Sequence, residues 1–239
     1  MDFRKFKIKF LSGLIFIGLA LVLICFLFLK AKPMNEEEAL NQEEITLPQP
    51  TETGKISIEE ALSGRRSVRT YRDEPLSLEE ISQILWATQG ITAPQWDGRT
   101  APSAGALYPL EVYLTVRKAR GLEPGIYRYL PAEHKLKSVL EGDISGPLAQ
   151  AALGQVFIKE APVALVISAS YTRTTKKYGQ RGIRYVHMEA GHAGQNIYLQ
   201  AQGLGLGTVT VGAFDDEEVK KILNLSKEET PLYIMPIGV

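Results

Sequence analysis

The stretch Pro162–Ala169 (PVALVISA) constrains the fold more than any other part of the chain. Its apolar character is continuous rather than alternating, the signature of a central strand buried on both faces. Around it the elements mix. Ser57 caps a short helix that stops near Gly64, with Glu59 and Glu60 in its first turn. Ser77 starts a second helix, with Glu80 at the capping-box position and Leu78, Ile81, Ile84 and Leu85 on one face. Strands are expected at Glu111–Val116, Thr208–Val211 and Leu232–Ile237. Ile126–Tyr129 and Lys135–Leu140 read as a hairpin-like pair around Pro131 and Ala132. A long helix is expected from Ile183 to Gln202, ending at Gly203, and Asp215 caps a short one to Leu223. Strands and helices follow no regular βαβ alternation, so the class is α+β.

The 239 residues carry a formal net charge of +0 and are 45% hydrophobic, which suits one domain with a real core. A balanced charge gives no footprint for nucleic acid. The single cysteine, Cys25, allows neither a disulfide framework nor a cysteine metal site, so redox chemistry needs a bound cofactor. Phe10–Leu29 is twenty residues without a charge, roughly 30 Å as a helix, which spans a bilayer core. The run is apolar on every face, unlike a core helix, and too long for a signal-peptide core. Residues 1–30 therefore read as a single-pass membrane anchor. Arg4, Lys5, Lys7 and Lys9 precede the span, which places the N-terminus in the cytoplasm and the domain outside. Residues 31–54, acidic and carrying Pro33, Pro48 and Pro50, read as a solvated stalk. The globular domain covers 55–239.

Two motifs are decoys. Gly203, Gly205 and Gly207 approach a dinucleotide fingerprint, but the helix precedes them and the strand follows, the reverse of what a pyrophosphate loop needs. His187 and His192 lie about 140° apart on a helix and share no metal face. Glu189, His192 and Asn196 read instead as a buried polar stripe whose members satisfy one another, and no metal site is expected. Ala190, Gly191, Ala193 and Gly194 suit close approach of a partner helix. Arg65, Arg66, Ser67 and Arg69 offer three guanidiniums and a hydroxyl within five residues, a phosphate cradle or a solvated basic turn.

Ser63–Tyr71 (SGRRSVRTY) resembles the N-terminal phosphate motif of the nitroreductase superfamily. Thr100–Pro109 (TAPSAGALYP) is similar to the second flavin loop of its SagB-type dehydrogenase branch, which includes the azoline oxidases. Lys177–Tyr185, Glu189–His192, Gln195-Asn196 and Gly205–Phe214 match the same branch. The resemblance implies a nitroreductase-like α+β fold, with a central mixed or antiparallel sheet flanked by helices, and an FMN-dependent oxidoreductase. FMN would be held by Arg65, Arg66, Ser67 and Arg69 at the phosphate. Pro102, Ser103, Ala104, Gly105, Ala106 and Leu107 would lie along the ring, with Gly207, Thr208, Val209 and Gly212 near its reactive edge. It also implies a homodimer in which both copies build the site, NAD(P)H as one electron source, and a small-molecule or peptide substrate. Lys177 and Tyr178 match a pair used in proton abstraction; on charge alone they belong to a basic surface run, Arg173–Arg184. Relatives continue past the position of Val239 with a tail that often supplies another basic ligand, so either the sequence is truncated there or the phosphate relies on the N-terminal arginines alone. Azoline oxidation in peptide tailoring and a non-catalytic flavin-binding membrane scaffold are the alternatives.

Overall fold

Every residue of strand β7 (Val163–Ser170) is buried, and the reason is its neighbours. The computed structural model describes residues Glu43–Val239. In it β7 pairs antiparallel with β4 (Leu110–Val116) on one side and β9 (Glu229–Gly238) on the other. The β4–β7 register runs without a break from Leu110 opposite Ala169 to Val116 opposite Val163. Outward from β4 follow β5 (Gly125–Leu130), β6 (Lys135–Glu141) and β1 (Glu44–Thr46), while β8 (Gly207–Thr208) flanks β9. All six ladders of this seven-stranded sheet are antiparallel. A hairpin of β2 (Ile91–Ala93) and β3 (Gly98–Arg99) stands apart from it.

Helices cover both faces, which is why β7 needs no alternation. On one face α2 (Leu78–Gln89) and α6 (Arg181–Leu204) pack Ile81, Leu85, Val186, Ala193 and Ile197 against Leu114, Leu165, Ile167 and Met235. On the other, α3 (Ser145–Ala151), α4 (Val156–Glu160) and α7 (Asp216–Ile222) bring Leu148, Ile158 and Val219 to Ala164, Val166 and Ile234. The helix starts follow local chemistry. Helix α1 (Ile58–Gly64) and helix α2 both open with full capping boxes, Ser57–Glu60 and Ser77–Glu80, which satisfy otherwise unpaired N–H groups.

Four expectations change. Within the predicted stalk, Glu44–Thr46 pairs with β6 and Leu47 is buried. Ser82 Oγ donates to the Pro48 carbonyl at 2.5 Å and Gln83 accepts the Thr51 amide at 2.9 Å, so the domain starts before residue 55. The basic surface run Arg173–Arg184, expected to precede the long helix, is itself largely helical: Tyr171–Tyr178 forms helix α5, directly before α6. Helix α6 reaches two residues beyond Gln202 and closes at Gly205, whose φ of 72° is the left-handed cap that favours glycine. Ala190, Ala193 and Gly194 are buried, with Gly194 facing Thr210, Tyr233 and Met235, so these small residues serve the helix–sheet contact; Gly191 alone stays open. The predicted anchor, residues 1–30, lies outside the described residues, and among those described no helix is long and apolar enough to cross a membrane.

Leu165→Ala, at 1% exposure, should lower unfolding stability by about 2–5 kcal/mol in denaturant titrations. Val156→Ala, at 60% exposure, should stay within about 0.5 kcal/mol.

Candidate functional site

The predicted site residues fall into two groups, on opposite flanks of α6. The first group surrounds Tyr198. Ser67 and Thr208 form a parallel bridge, and the Val68 amide donates to the Thr208 carbonyl at 2.9 Å. This approach explains Gly207, where a Cβ would stand 2.6 Å from Val68 Cγ1. Ser67 Oγ lies 3.1 Å from the Tyr198 hydroxyl, which also accepts the Thr210 amide at 2.9 Å. The Arg65 guanidinium stacks 5.1 Å from the Tyr198 ring centroid, and Arg69 lies 5.9 Å from that of Phe157. Although burial opposes it, the contacts with Ser67 and Thr210 and the charge of Arg65 lower the Tyr198 phenol below its ordinary range.

Arg66 is placed differently from its neighbours. Its Nη1 donates to the carbonyls of Ser63 and Arg65 at 2.9 and 2.8 Å, so it tidies the end of α1. Val209 turns its side chain into the second core cluster, which leaves only its backbone for a ligand, and Gly212 is exposed.

The second group surrounds the loop Pro102–Leu107. Gly105 has φ 65°, and Ala106 and Tyr108, at 54° and 45°, share the left-handed region, which costs non-glycine residues of order 1–3 kcal/mol each. A Cβ on Gly105 would stand 2.7 Å from the Tyr178 hydroxyl and 2.9 Å from Lys177 Nζ. The positive φ favours glycine there, and the two side chains converge on one point of the loop. Lys177 itself is exposed. On the inner side of the loop, Ser103 Oγ accepts the Tyr108 amide at 2.9 Å and donates to Glu189 Oε2 at 2.5 Å. Arg173 donates to the Tyr108 carbonyl at 2.9 Å and pairs with Glu111. Arg99 stacks 4.4 Å from the Tyr108 ring centroid.

Glu189 and Tyr198 are the α6 residues that bond to the two groups, and Tyr185 packs edge-on against Tyr178. Nine residues at about 100° each end half a turn away, and at about 1.5 Å each they end roughly 14 Å along the axis. The chain thus separates Arg65, Ser67 and Thr208 from Ser103, Gly105, Lys177 and Tyr178. The expected polar stripe is not self-satisfied either. Glu189 bonds Ser103, Asn196 donates to the carbonyls of Ala87 and Thr100 at 3.0 and 3.3 Å, and His192 faces solvent. Tyr198, Thr210, Arg99 and the Ser103–Glu189 bond escape sequence reasoning; the helical spacing of 189 and 198 was the one available signal.

Burial pushes the Glu189 carboxyl up to about 7, against the Ser103 bond and the Arg99 charge, which hold it down. The native protein then keeps this proton while the unfolded chain has lost it, so stability declines as pH rises from roughly 4.5 through 7, by about 3 kcal/mol in all. Urea unfolding of wild type and Glu189→Gln should show that decline in their difference. His134, which burial pushes down, runs the opposite way and cancels in it. A pH-independent difference would refute the assignment.

Residues 62–239 match the family described as Nitroreductase family. A nitroreductase-like protein of Methanocaldococcus jannaschii is 51% identical over 195 residues, covering 82% of this chain and 96% of its own. The microcin B17-processing protein of Escherichia coli is 30% identical over 170 residues, 68% of this chain and 62% of its own. A nitroreductase-like crystal structure from Ralstonia eutropha superposes with a TM-score of 0.73 at 30% identity, covering 82% of this chain and 88% of that one. With the antiparallel sheet flanked by helices and the family match over its globular part, this chain belongs to the nitroreductase family of oxidoreductases.

Proposed function

We propose that the protein is an FMN-dependent oxidoreductase of the SagB-type dehydrogenase branch, acting as a homodimer whose two sites are each shared between copies. The observation that carries this reading is the half-turn separation of the two residue groups on α6. Between Tyr198 and Glu189 the helix exposes Met188, Gly191, His192 and Gln195. Glu189 and Tyr198 are equidistant from the level of Ala193 and Gly194. We place a second copy on that exposed face, so that Ser103 of one copy and Ser67 of the other complete one site. The groove of about 970 Å³ between Thr51–Ile58, α2 and the second half of α6 adjoins the same face and belongs to this contact.

The donor set fits FMN. Arg65 lies over the Tyr198 ring and Ser67 at its hydroxyl, with Arg69 two residues on from Ser67, and guanidinium forks suit a phosphate. The Pro102–Leu107 loop is small and largely exposed, so a flat ring can lie against its backbone. Bound there, FMN supplies two-electron hydride chemistry, with a substrate or NAD(P)H as the source. Ser67 and the backbone of Thr208–Gly212 orient the group. Lys177 takes the substrate proton and Tyr178 donates a hydrogen bond beside it. Their convergence on Gly105 and the 30% identity with the microcin B17-processing protein favour a dehydrogenation of the azoline-oxidase kind on a peptide; a small-molecule reductase and a flavin-binding scaffold are the competing readings.

Arg65→Ala should weaken FMN binding about tenfold or more, the loss of one charge-assisted contact, whereas Arg66→Ala should change it little; equilibrium titration of the flavin absorbance separates them. Lys177→Ala should keep FMN and lose turnover. A mixture of Arg65→Ala and Lys177→Ala chains should regain turnover that neither shows alone, because one of its two sites is intact. No regain in a verified mixed dimer would mean that each chain builds its own site, and colour without turnover in wild type would favour the scaffold.

A further inference from the structure

Three glutamates are buried among the described residues, and two of them have two side-chain partners each. Glu111 spans Arg128 and Arg173 with its two oxygens. Glu229 Oε2 accepts from the Tyr113 hydroxyl at 3.0 Å and from Ser168 Oγ at 2.8 Å. Glu189, 2% exposed, has one partner, Ser103, and its Oε1 has none. A buried carboxyl with an idle oxygen is costly, and nothing in the packing of α6 on the sheet requires it, since an apolar side chain would fill the position. Gln89 Nε2 and Arg99 Nε are likewise buried without partners. Arg99 Nη1 donates to Gln89 Oε1 at 2.9 Å and its charge acts on Glu189. Three of the four unpartnered buried side-chain atoms among the described residues thus belong to one linked set, Gln89, Arg99 and Glu189.

We infer that Glu189 is a positioning residue: through Ser103 it latches the Pro102–Leu107 loop, and through the loop it sets where Lys177 and Tyr178 stand. The chain of contacts is short. The loop holds Ala106 and Tyr108 at positive φ, a conformation that persists only where the surroundings over-determine it. The Tyr108 carbonyl is taken by Arg173 and its ring by Arg99. Its amide is taken by Ser103 Oγ, and a hydroxyl that accepts this amide stays oriented only if its own proton has a fixed acceptor. Glu189 Oε2 is that acceptor, and it accepts whether or not the group holds a proton on its free oxygen. On the outer face of the loop, the Lys177 ammonium and the Tyr178 hydroxyl lie within contact of Gly105. A displacement of about 1 Å at a reacting pair can cost on the order of a hundredfold in rate.

The inference rests on the oxidoreductase reading for its kinetic consequence and on geometry alone for the latch, so its test has two arms. In the full-length protein without added flavin, hydrogen–deuterium exchange of the peptide containing Tyr108 reads the latch directly. Glu189→Leu should raise exchange at the Tyr108 amide about tenfold or more, Ser103→Ala should do the same, and Glu189→Gln, whose side-chain oxygen still accepts from Ser103, should stay near wild type. In the flavin-loaded enzyme, Glu189→Leu should lower kcat about tenfold or more with KM little changed, and Glu189→Gln should restore it to within about threefold. Unchanged exchange in both Glu189→Leu and Ser103→Ala would overturn the latch. A Glu189→Gln enzyme as slow as Glu189→Leu, with the loop still protected, would overturn the positioning role, because the carboxyl proton itself would then be in use. A wild type with no bound flavin and no turnover would defeat the oxidoreductase reading while leaving the exchange arm decisive.

Discussion

The burial of one face of α6 against the antiparallel sheet is the contact on which the rest of the site depends. Val186, Ala190, Ala193, Ile197 and Ala201 join Leu165, Ile167 and Met235 in one cluster, and this fixes the helix about its own axis. Rotation by a single residue, about 100°, would turn Glu189 toward solvent and remove Tyr198 from Ser67 and Thr210. Small residues make the fit close: Gly194 stands 3.6–3.8 Å, measured from its missing Cβ, from Thr210, Tyr233 and Met235. A Cβ there would make ordinary contact, which leaves little room for a side chain longer than alanine's. Apolar packing with no chemistry of its own therefore determines which polar groups meet.

What α6 positions is held by polar contacts to backbone rather than by further packing. Tyr198 takes the Thr210 amide, Ser103 takes the Tyr108 amide, and Asn196 serves two carbonyls. The Thr210 and Tyr108 amides and the Thr100 carbonyl lie outside regular ladders and the Ala87 carbonyl lies in the last turn of α2, so a side chain replaces a missing backbone partner. The same substitution explains the shortness of β8. Its pairing with β9 ends at Thr208 and resumes only as a single bridge at Val211–Ile234, because in between the Thr210 amide is given to Tyr198.

This division decides what the sequence discloses. Strand β7 is legible because coverage of both faces by helices writes itself as an unbroken apolar run, and Ser57–Glu60 and Ser77–Glu80 are legible because a capping box is local. The strand expected at Thr208–Val211 shrinks because its competitor for the amide is twelve residues away on a helix. Helix α5 hides because Tyr171–Tyr178 carries almost no apolar stripe and is held by Arg173 on Glu111 and on the Tyr108 carbonyl, sixty-odd residues distant. Edge strand β1 hides because Leu47 is its lone buried anchor among polar residues and prolines. The site motifs are visible as motifs, but the pairings that give them meaning, Ser67 with Tyr198 and Ser103 with Glu189, span 131 and 86 residues. No local pattern encodes those.

The three arginines of the basic element show the same point at the scale of single side chains. In sequence they are equivalent donors. In the fold, Arg66 closes the carbonyls left open at the end of α1, a task that needs a donor at a helix C-terminus. Arg65 and Arg69 lie over the rings of Tyr198 and Phe157. An aromatic face attracts the guanidinium plane while leaving its N–H edge free, so these two side chains lose conformational freedom without spending their donors. Ordering the side chains in advance would lower the cost of binding the phosphate proposed above. The loop on the other flank follows the same logic, since the backbone strain at Ala106 and Tyr108 is borne by Ser103, Arg173 and Arg99 before any ligand arrives. Both groups of residues are therefore ordered within one chain before any ligand or partner is met.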